Sequence, residues 1–167
     1  KDAATAIGSS VTASGVSSLA VGTSSNATAD NSIAIGNAAT GSGEDAVALG
    51  HSLTASGASS VTIGQSSTGR GANAIAVGSG VTVSDSGSIA VGQSAYTSGV
   101  NTLVIGNNAS ISNQNGRIPD REKNKSDGSV VIGANASSIL YDSKTSKNVV
   151  VIGAGAKADA PLQRSGD

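Results

Sequence analysis

A short phrase that ends in glycine returns along this chain at a fixed interval of 14 residues. It reads "IAIG" up to Gly36 and "VALG" up to Gly50. The regular series ends at Gly8, Gly22, Gly36, Gly50, Gly64, Gly78, Gly92 and Gly106. Two further copies, both "VVIG", end at Gly133 and Gly153, after intervals of 27 and 20 residues. A fixed short period predicts stacked structural units, so the chain contains ten copies of one unit and two late insertions.

The whole chain, residues 1–167, is predicted to be one domain. Residues 1–106 hold the regular repeats, and residues 107–167 hold the repeats with the two insertions. Low-complexity Gly/Ser/Ala sequence also occurs in disordered chains, and here there are 23 glycines, no Phe, Trp, Met or Cys, and two Tyr. A disordered linker has no reason to keep Val, Ile and Leu at fixed positions. The strict phase therefore favours a folded repeat.

The residues before each glycine alternate with period two, which is typical of a β-strand. Large apolar residues such as Ile33 and Ile35 flank a small one such as Ala34, so neither face is polar. A strand that is apolar on both faces is buried on both. We expect the large residues to fill the interior and the small ones to face an axis of self-association. The axis candidates are Ala20, Ala34, Ala48, Ala76, Ala90, Val104, Val131 and Val151.

The second half of each unit predicts a strand with one buried face and one solvent-exposed face. In "LTASG" (residues 53–57), Thr54 and Ser56 alternate with apolar or small residues, and "VTASG" at 11–15 repeats the pattern. Gly, Asn, Ser and Asp between the strands suit tight turns. Two strands per unit give a coil that stacks on the next at about 4.8 Å.

The repeats "NSIAIGNAATGSG" (31–43) and "NAIAVGSGVTVSDSG" (73–87) resemble the head repeats of YadA-like trimeric autotransporter adhesins of Gram-negative bacteria. The resemblance implies an all-β fold, a left-handed parallel β-roll of ten 14-residue coils, assembled as a homotrimer without a cofactor. It also implies adhesion to host matrix proteins, host cell receptors or other bacteria, as a virulence function at the outer-membrane surface. The left hand and the number three come from the resemblance alone.

The other parts of such an adhesin have no counterpart in this sequence. It has no signal-peptide pattern, no heptad stalk and no apolar run long enough to span a bilayer. We therefore expect an excised head, with secretion and anchoring located elsewhere.

The two insertions and one aromatic residue supply the candidate ligand contacts, because loops on a rigid frame often carry binding residues. Seven of the chain's 21 formal charges lie within residues 117–127. The alternatives are a solvated loop in the first insertion and, in the second, apolar residues that cover the roll or a neighbouring chain. Tyr96 replaces Thr in the outward row. The candidates are Arg117, Arg121, Lys123, Lys125, Tyr141 and Tyr96.

Several functional classes are disfavoured by composition. An enzyme needs convergent titratable groups in a pocket, whereas this chain has scattered charges, one His and no Cys. His51 follows a repeat glycine and is predicted to be a polar turn residue rather than a metal ligand. The net charge of −1 gives no basic footprint for nucleic acid. Two non-enzymatic alternatives stay open: an ice-binding solenoid that uses the outward Thr-x-Ser rows, and a structural spacer.

Overall fold

The computed structural model describes residues 3–113, 128–140 and 148–160, which form twenty short strands, two in each coil. The first strands of the ten coils are β1 (Thr5–Ser9), β3 (Leu19–Thr23), β5 (Ile33–Ile35), β7 (Val47–His51), β9 (Val61–Gln65), β11 (Ile75–Ser79), β13 (Ile89–Gln93), β15 (Leu103–Ile105), β17 (Val130–Ile132) and β19 (Val150–Ile152). The second strands are β2 (Thr12–Ala13), β4 (Asn26–Ala27), β6 (Thr40–Gly41), β8 (Thr54–Ala55), β10 (Thr68–Gly69), β12 (Thr82–Val83), β14 (Tyr96–Thr97), β16 (Ser110–Asn113), β18 (Ser137–Leu140) and β20 (Lys157–Ala160). Coils are numbered one to ten in this order.

The strands form two parallel ten-stranded sheets, one from the first strands and one from the second strands. Successive strands pair with an offset of one repeat, as in Gly50 opposite Gly64. The offset widens at the insertions, where Val104 pairs with Val131 and Val131 with Val151, and the register of the small central residue is kept. The predicted all-β parallel roll of ten coils is confirmed.

Each coil turns twice, and each turn contains a residue in the left-handed region of backbone space. These residues recur every seven positions, for example Ser59, Ser66 and Asn73, with φ of 54°, 52° and 57°. The next position in the series is Gly80 at φ 66°. Glycine adopts this conformation freely and asparagine tolerates it better than most residues. The Ser, Asn and Gly between strands therefore follow from the need for two sharp turns per coil.

Four side-chain positions fill the interior of each coil away from the ends of the roll, and we call them the interior quartet. In coil four they are Ala46, Ala48, Leu53 and Ala55, each exposed by 1% or less. The second and fourth positions belong to the two facing strands, so Ala48 and Ala55 come from opposite sheets. Side chains of this size fill the space only if the two sheets lie close together. The roll is therefore a thin sandwich with a core of small residues.

The small residue of the first strand lies inside this core in coils two to ten, so the prediction that it faces an axis of association is wrong. The predicted axis residues are buried within a single chain: Ala20, Ala34, Ala48, Ala76, Ala90, Val104 and Val131 at 0% exposed, and Val151 at 5%. A side chain with no exposed surface cannot contact a second chain. The physical reason is that the inward position of the first strand holds Ala, Thr or Val, whereas the larger interior residues, such as Leu53 and Ile111, come from the second half of the coil.

Candidate interaction surfaces

The large residues of the first sheet form a continuous outward surface, which we call the apolar face. One row contains Leu19, Ile33, Val47, Val61, Ile75, Ile89, Leu103, Val130 and Val150. The other contains Ile7, Val21, Ile35, Leu49, Ile63, Val77, Val91, Ile105, Ile132 and Ile152. All are half-buried or exposed, and Leu49, in the middle of the array, is still 41% exposed.

The dimensions of the apolar face suit association rather than exposure to water. Nine intervals of about 4.8 Å give a length of roughly 43 Å, and alternate residues on a strand lie about 7 Å apart. The rows consist of Ile, Val and Leu without a charged residue. Contiguous apolar patches of this extent mark interfaces on soluble proteins. Covering the face with protein recovers about 25 cal/mol for each Å² of apolar surface removed from water.

The opposite sheet presents a polar surface, which we call the hydroxyl wall. Thr54 is half-buried and Ser56 exposed, while Ala55 between them is buried. The same alternation occurs at Thr40 and Ser42. The predicted outward direction of the Thr and Ser residues is thus confirmed. One outward row runs through Thr12, Asn26, Thr40, Thr54, Thr68, Thr82, Tyr96 and Ser110.

Tyr96 is an aromatic side chain within the hydroxyl wall. It pairs with Thr82 on one side and Ser110 on the other, and it is 38% exposed. Its predicted outward position is confirmed. Tyrosine combines a large apolar surface with a hydrogen-bonding hydroxyl, and it is enriched where proteins bind one another. The adjoining row contains one exposed cation, Arg70.

The other candidate ligand contacts, Arg117, Arg121, Lys123, Lys125 and Tyr141, lie outside the described residues. The structure does describe the strands from which the two insertions depart. They follow β16 and β18, which pair in parallel with Asn113 opposite Leu140. Both insertions therefore leave the roll from the same edge and from neighbouring coils. Sequence spacing locates the insertions along the chain, whereas strand pairing brings their starting points together.

The remaining polar residues do not form a reaction centre in the described part of the chain. His51 is exposed at the end of β7, and its Nε2 lies 3.3 Å from the Ser52 hydroxyl. Among residues 3–113, 128–140 and 148–160, no group of three or more His, Cys, Asp or Glu side chains is placed to hold a metal ion. The same residues include no helix with the length and apolarity needed to cross a membrane.

Comparison with known families identifies the repeat. The family model for the YadA head domain repeat, which spans two copies, matches residues 13–39, 42–67 and 86–109. No curated protein sequence matches the chain. Each matched segment is 24 to 27 residues long, close to two 14-residue coils of the roll. The matches therefore follow the structural repeat itself, and the chain contains a YadA-like head domain.

Proposed function

We propose that three copies of this chain associate through the apolar face and act as a non-enzymatic adhesin head on the bacterial outer surface. One observation carries the proposal. The coils that match YadA head repeats each contribute two large apolar residues to the same face, and a single chain leaves that face uncovered. The number three rests on the resemblance to trimeric adhesins. An anchor domain elsewhere in the protein would hold the head at the outer membrane of a Gram-negative cell.

The proposed ligand is a protein on a host surface, such as a matrix protein or a cell-surface receptor, or a component of another bacterium. Association through the apolar face leaves the hydroxyl wall and the insertion edge on the outside of the assembly. Hydroxyl groups can donate and accept hydrogen bonds, and Tyr96 adds an aromatic contact. The two insertions form the competing site. The first, charged insertion contains Arg117, Arg121, Lys123 and Lys125, and the second contains Tyr141.

The native mass of the chain tests the assembly. We expect light scattering after size exclusion to give about 48 kDa, three times the chain mass of 15.9 kDa. Removing three apolar faces from water is the driving force. A folded particle with the mass of one chain would contradict the trimer.

Substitution on the hydroxyl wall tests where the ligand binds. We expect Tyr96→Thr to weaken binding at least tenfold to the matrix protein or receptor that the unaltered head captures, because exposed Tyr side chains often dominate interface energy. Thr is the natural residue one coil earlier, at Thr82, so the strand is preserved. Biolayer interferometry against an immobilised panel of matrix proteins and receptors measures the effect.

The matched control is Thr40→Ser, which changes another residue of the same row without adding or removing an aromatic ring. If Tyr96→Thr binds normally and replacement of residues 112–128 by an ordinary repeat linker removes binding, the insertion is the contact site. Normal binding by both variants would contradict both proposed sites.

The two alternatives make different predictions. An ice-binding surface requires a regular hydroxyl array, but Asn26 and Tyr96 interrupt one row of the wall and Arg70 interrupts the other. Those interruptions favour adhesion over ice binding. A structural spacer would form the same assembly and capture no ligand in the binding panel.

A further inference from the structure

Coil five differs from the rest of the roll in its interior quartet. Its four positions are Ser60, Thr62, Ser67 and Gly69, all buried. Three are hydroxyl residues and the fourth has no side chain. Every other coil places at least one Ala, Val, Leu or Ile among the corresponding positions. Coil five is therefore a polar layer inside an otherwise apolar solenoid.

This polar layer divides the hydrophobic core in two. One cluster of buried residues extends from Ala20 to Ala55, and the other from Ala74 to Val151. All residues between Ala55 and Ala74 are described, and no buried apolar side chain bridges the gap. In a solenoid each unit contacts only its neighbours, so stability depends on the interface between successive coils. The interior apolar part of that interface is missing on both sides of coil five.

The hydroxyl groups of coil five only partly replace the lost apolar contacts. The Ser60 Oγ is buried and has no hydrogen-bond partner. The Thr62 Oγ1 donates to the Thr54 carbonyl oxygen at a long 3.3 Å. Ser67 is better bonded, since its Oγ accepts from the Val81 N–H at 3.1 Å and lies 3.0 Å from the Gly78 carbonyl oxygen. A buried hydroxyl without a partner destabilises the folded state.

Coil seven also contains interior hydroxyls, but there they are hydrogen-bonded. There the Ser88 Oγ donates to the Gly99 carbonyl oxygen at 2.5 Å and accepts from the Thr102 N–H at 3.1 Å. The same coil retains Ala90 and Ala95 in its interior, and both belong to the larger apolar cluster. Unpartnered hydroxyls also occur at Ser18, Ser25 and Ser138, in coils two and nine, but those coils contribute apolar residues to a cluster and coil five contributes none.

We infer that coil five is the interior coil at which the native roll opens most readily, and that it separates two cooperative units, coils one to four and coils six to ten. Local opening is controlled by the buried contacts of the segment that opens. The outer surface of coil five is ordinary, because Val61 and Ile63 continue both rows of the apolar face. The weakness is internal, so the inference holds for a monomer or for an assembly.

Three matched amides provide the test. Val61 N–H donates to the Ala74 carbonyl oxygen at 2.8 Å, and this bond joins coils five and six. Ile33 N–H to Ala46 O and Ile89 N–H to Thr102 O are equivalent bonds of the same length in the two cooperative units. All three residues are β-branched and occupy the same strand position. Different exchange rates would therefore report different opening equilibria rather than different hydrogen-bond geometry.

Native-state hydrogen exchange of the full chain, resolved at single amides, is expected to show the Val61 amide exchanging at least tenfold faster than those of Ile33 and Ile89. The corrective variant is Ser60→Ala with Thr62→Ala and Gly69→Ala. A Cβ at position 69 would lie 2.6 Å from the Thr62 Oγ1, so the last two changes must be made together. Ser67 is kept because its hydroxyl is bonded. We expect the variant to bring the Val61 rate within about threefold of the other two.

The reverse variant, Ala46→Ser with Ala48→Thr and Ala55→Gly, transfers three polar-layer residues to coil four. We expect it to accelerate exchange of the Val47 amide at least tenfold. Equal exchange at the three matched amides of the unaltered chain would overturn the inference. So would a corrective variant that folds and leaves the Val61 amide as fast as before.

Discussion

A lysine in the apolar face is expected to reduce the assembly to single chains. Ile75 lies near the middle of the face, in coil six, where the interior quartet is fully apolar. Ile75→Lys would place one unpaired ammonium from each chain at a desolvated interface. Leaving a buried charge without a partner costs several kcal/mol, of the order of 3–5 for each site. Light scattering should then give a mass near 15.9 kDa, the mass of one chain.

The control is Thr82→Lys in the same coil. Thr82 is also β-branched and half-buried, but it lies on the hydroxyl wall. The same charge is introduced there into a water-facing surface, so the assembly should persist. Far-ultraviolet circular dichroism of both variants should show retained β structure, which separates loss of association from loss of folding. A folded Ile75→Lys variant that still assembles would exclude the apolar face as the interface.

The repeat phase predicts the fold well because local chemistry determines it. Strand alternation, two turns per unit and the outward Thr and Ser residues all follow from neighbouring positions, as Thr54, Ala55 and Ser56 illustrate. Register follows as well, since a parallel stack aligns equivalent residues. The insertions change only the number of residues between coils, and Val104 still pairs with Val131.

The same pattern does not determine which face of the first strand points into the roll. Ile33, Ala34 and Ile35 give two apolar faces, and alternation alone does not say which of them is interior. The usual expectation that larger residues are buried fails here. The larger interior residues, such as Leu53 and Ile111, come from the second half of the coil, and an interface with other chains is the proposed cover for the large residues of the first strand. Which half supplies the larger interior residues is a property of the whole coil.

The sizes of the facing interior positions do not reveal the inward face either. Thr62 lies opposite Gly69, and a Cβ at Gly69 would approach the Thr62 hydroxyl. Val104 and Ile111 belong to the same buried cluster in coil eight. Both pairs combine the small central residue of the first strand with an inward residue of the second. The sizes in these two pairs do not compensate for one another, so the inward face cannot be identified from them without the structure.

Replacing a repeat glycine by alanine is expected to cause the largest loss of stability in the chain. Gly36 has φ +134°, a conformation that side chains with a Cβ rarely adopt, and a Cβ there would lie 1.8 Å from the Gly50 carbonyl oxygen. The obstruction is backbone, so rotating a side chain cannot relieve it. Because of this strain and the broken interface between coils, we expect Gly36→Ala to lower the free energy of unfolding by more than about 4 kcal/mol. Urea denaturation followed by circular dichroism should show a midpoint far below that of the unaltered chain, or no folded baseline.

Gly41→Ala is the matched control, because it makes the same substitution in the same coil. Gly41 has an ordinary backbone conformation, and a Cβ there would meet the Ile33 carbonyl oxygen at 3.0 Å, a contact that a small shift relieves. The equivalent positions in the neighbouring coils are already Ala27 and Ala55. We therefore expect Gly41→Ala to change the free energy of unfolding by about 1 kcal/mol or less, within the range of tolerated small-to-large changes.

Equal destabilisation by the two variants would mean that coil stacking, rather than the backbone conformation of the repeat glycine, limits the fold. A large loss confined to Gly36→Ala would explain why the phrase ends in glycine in all ten copies.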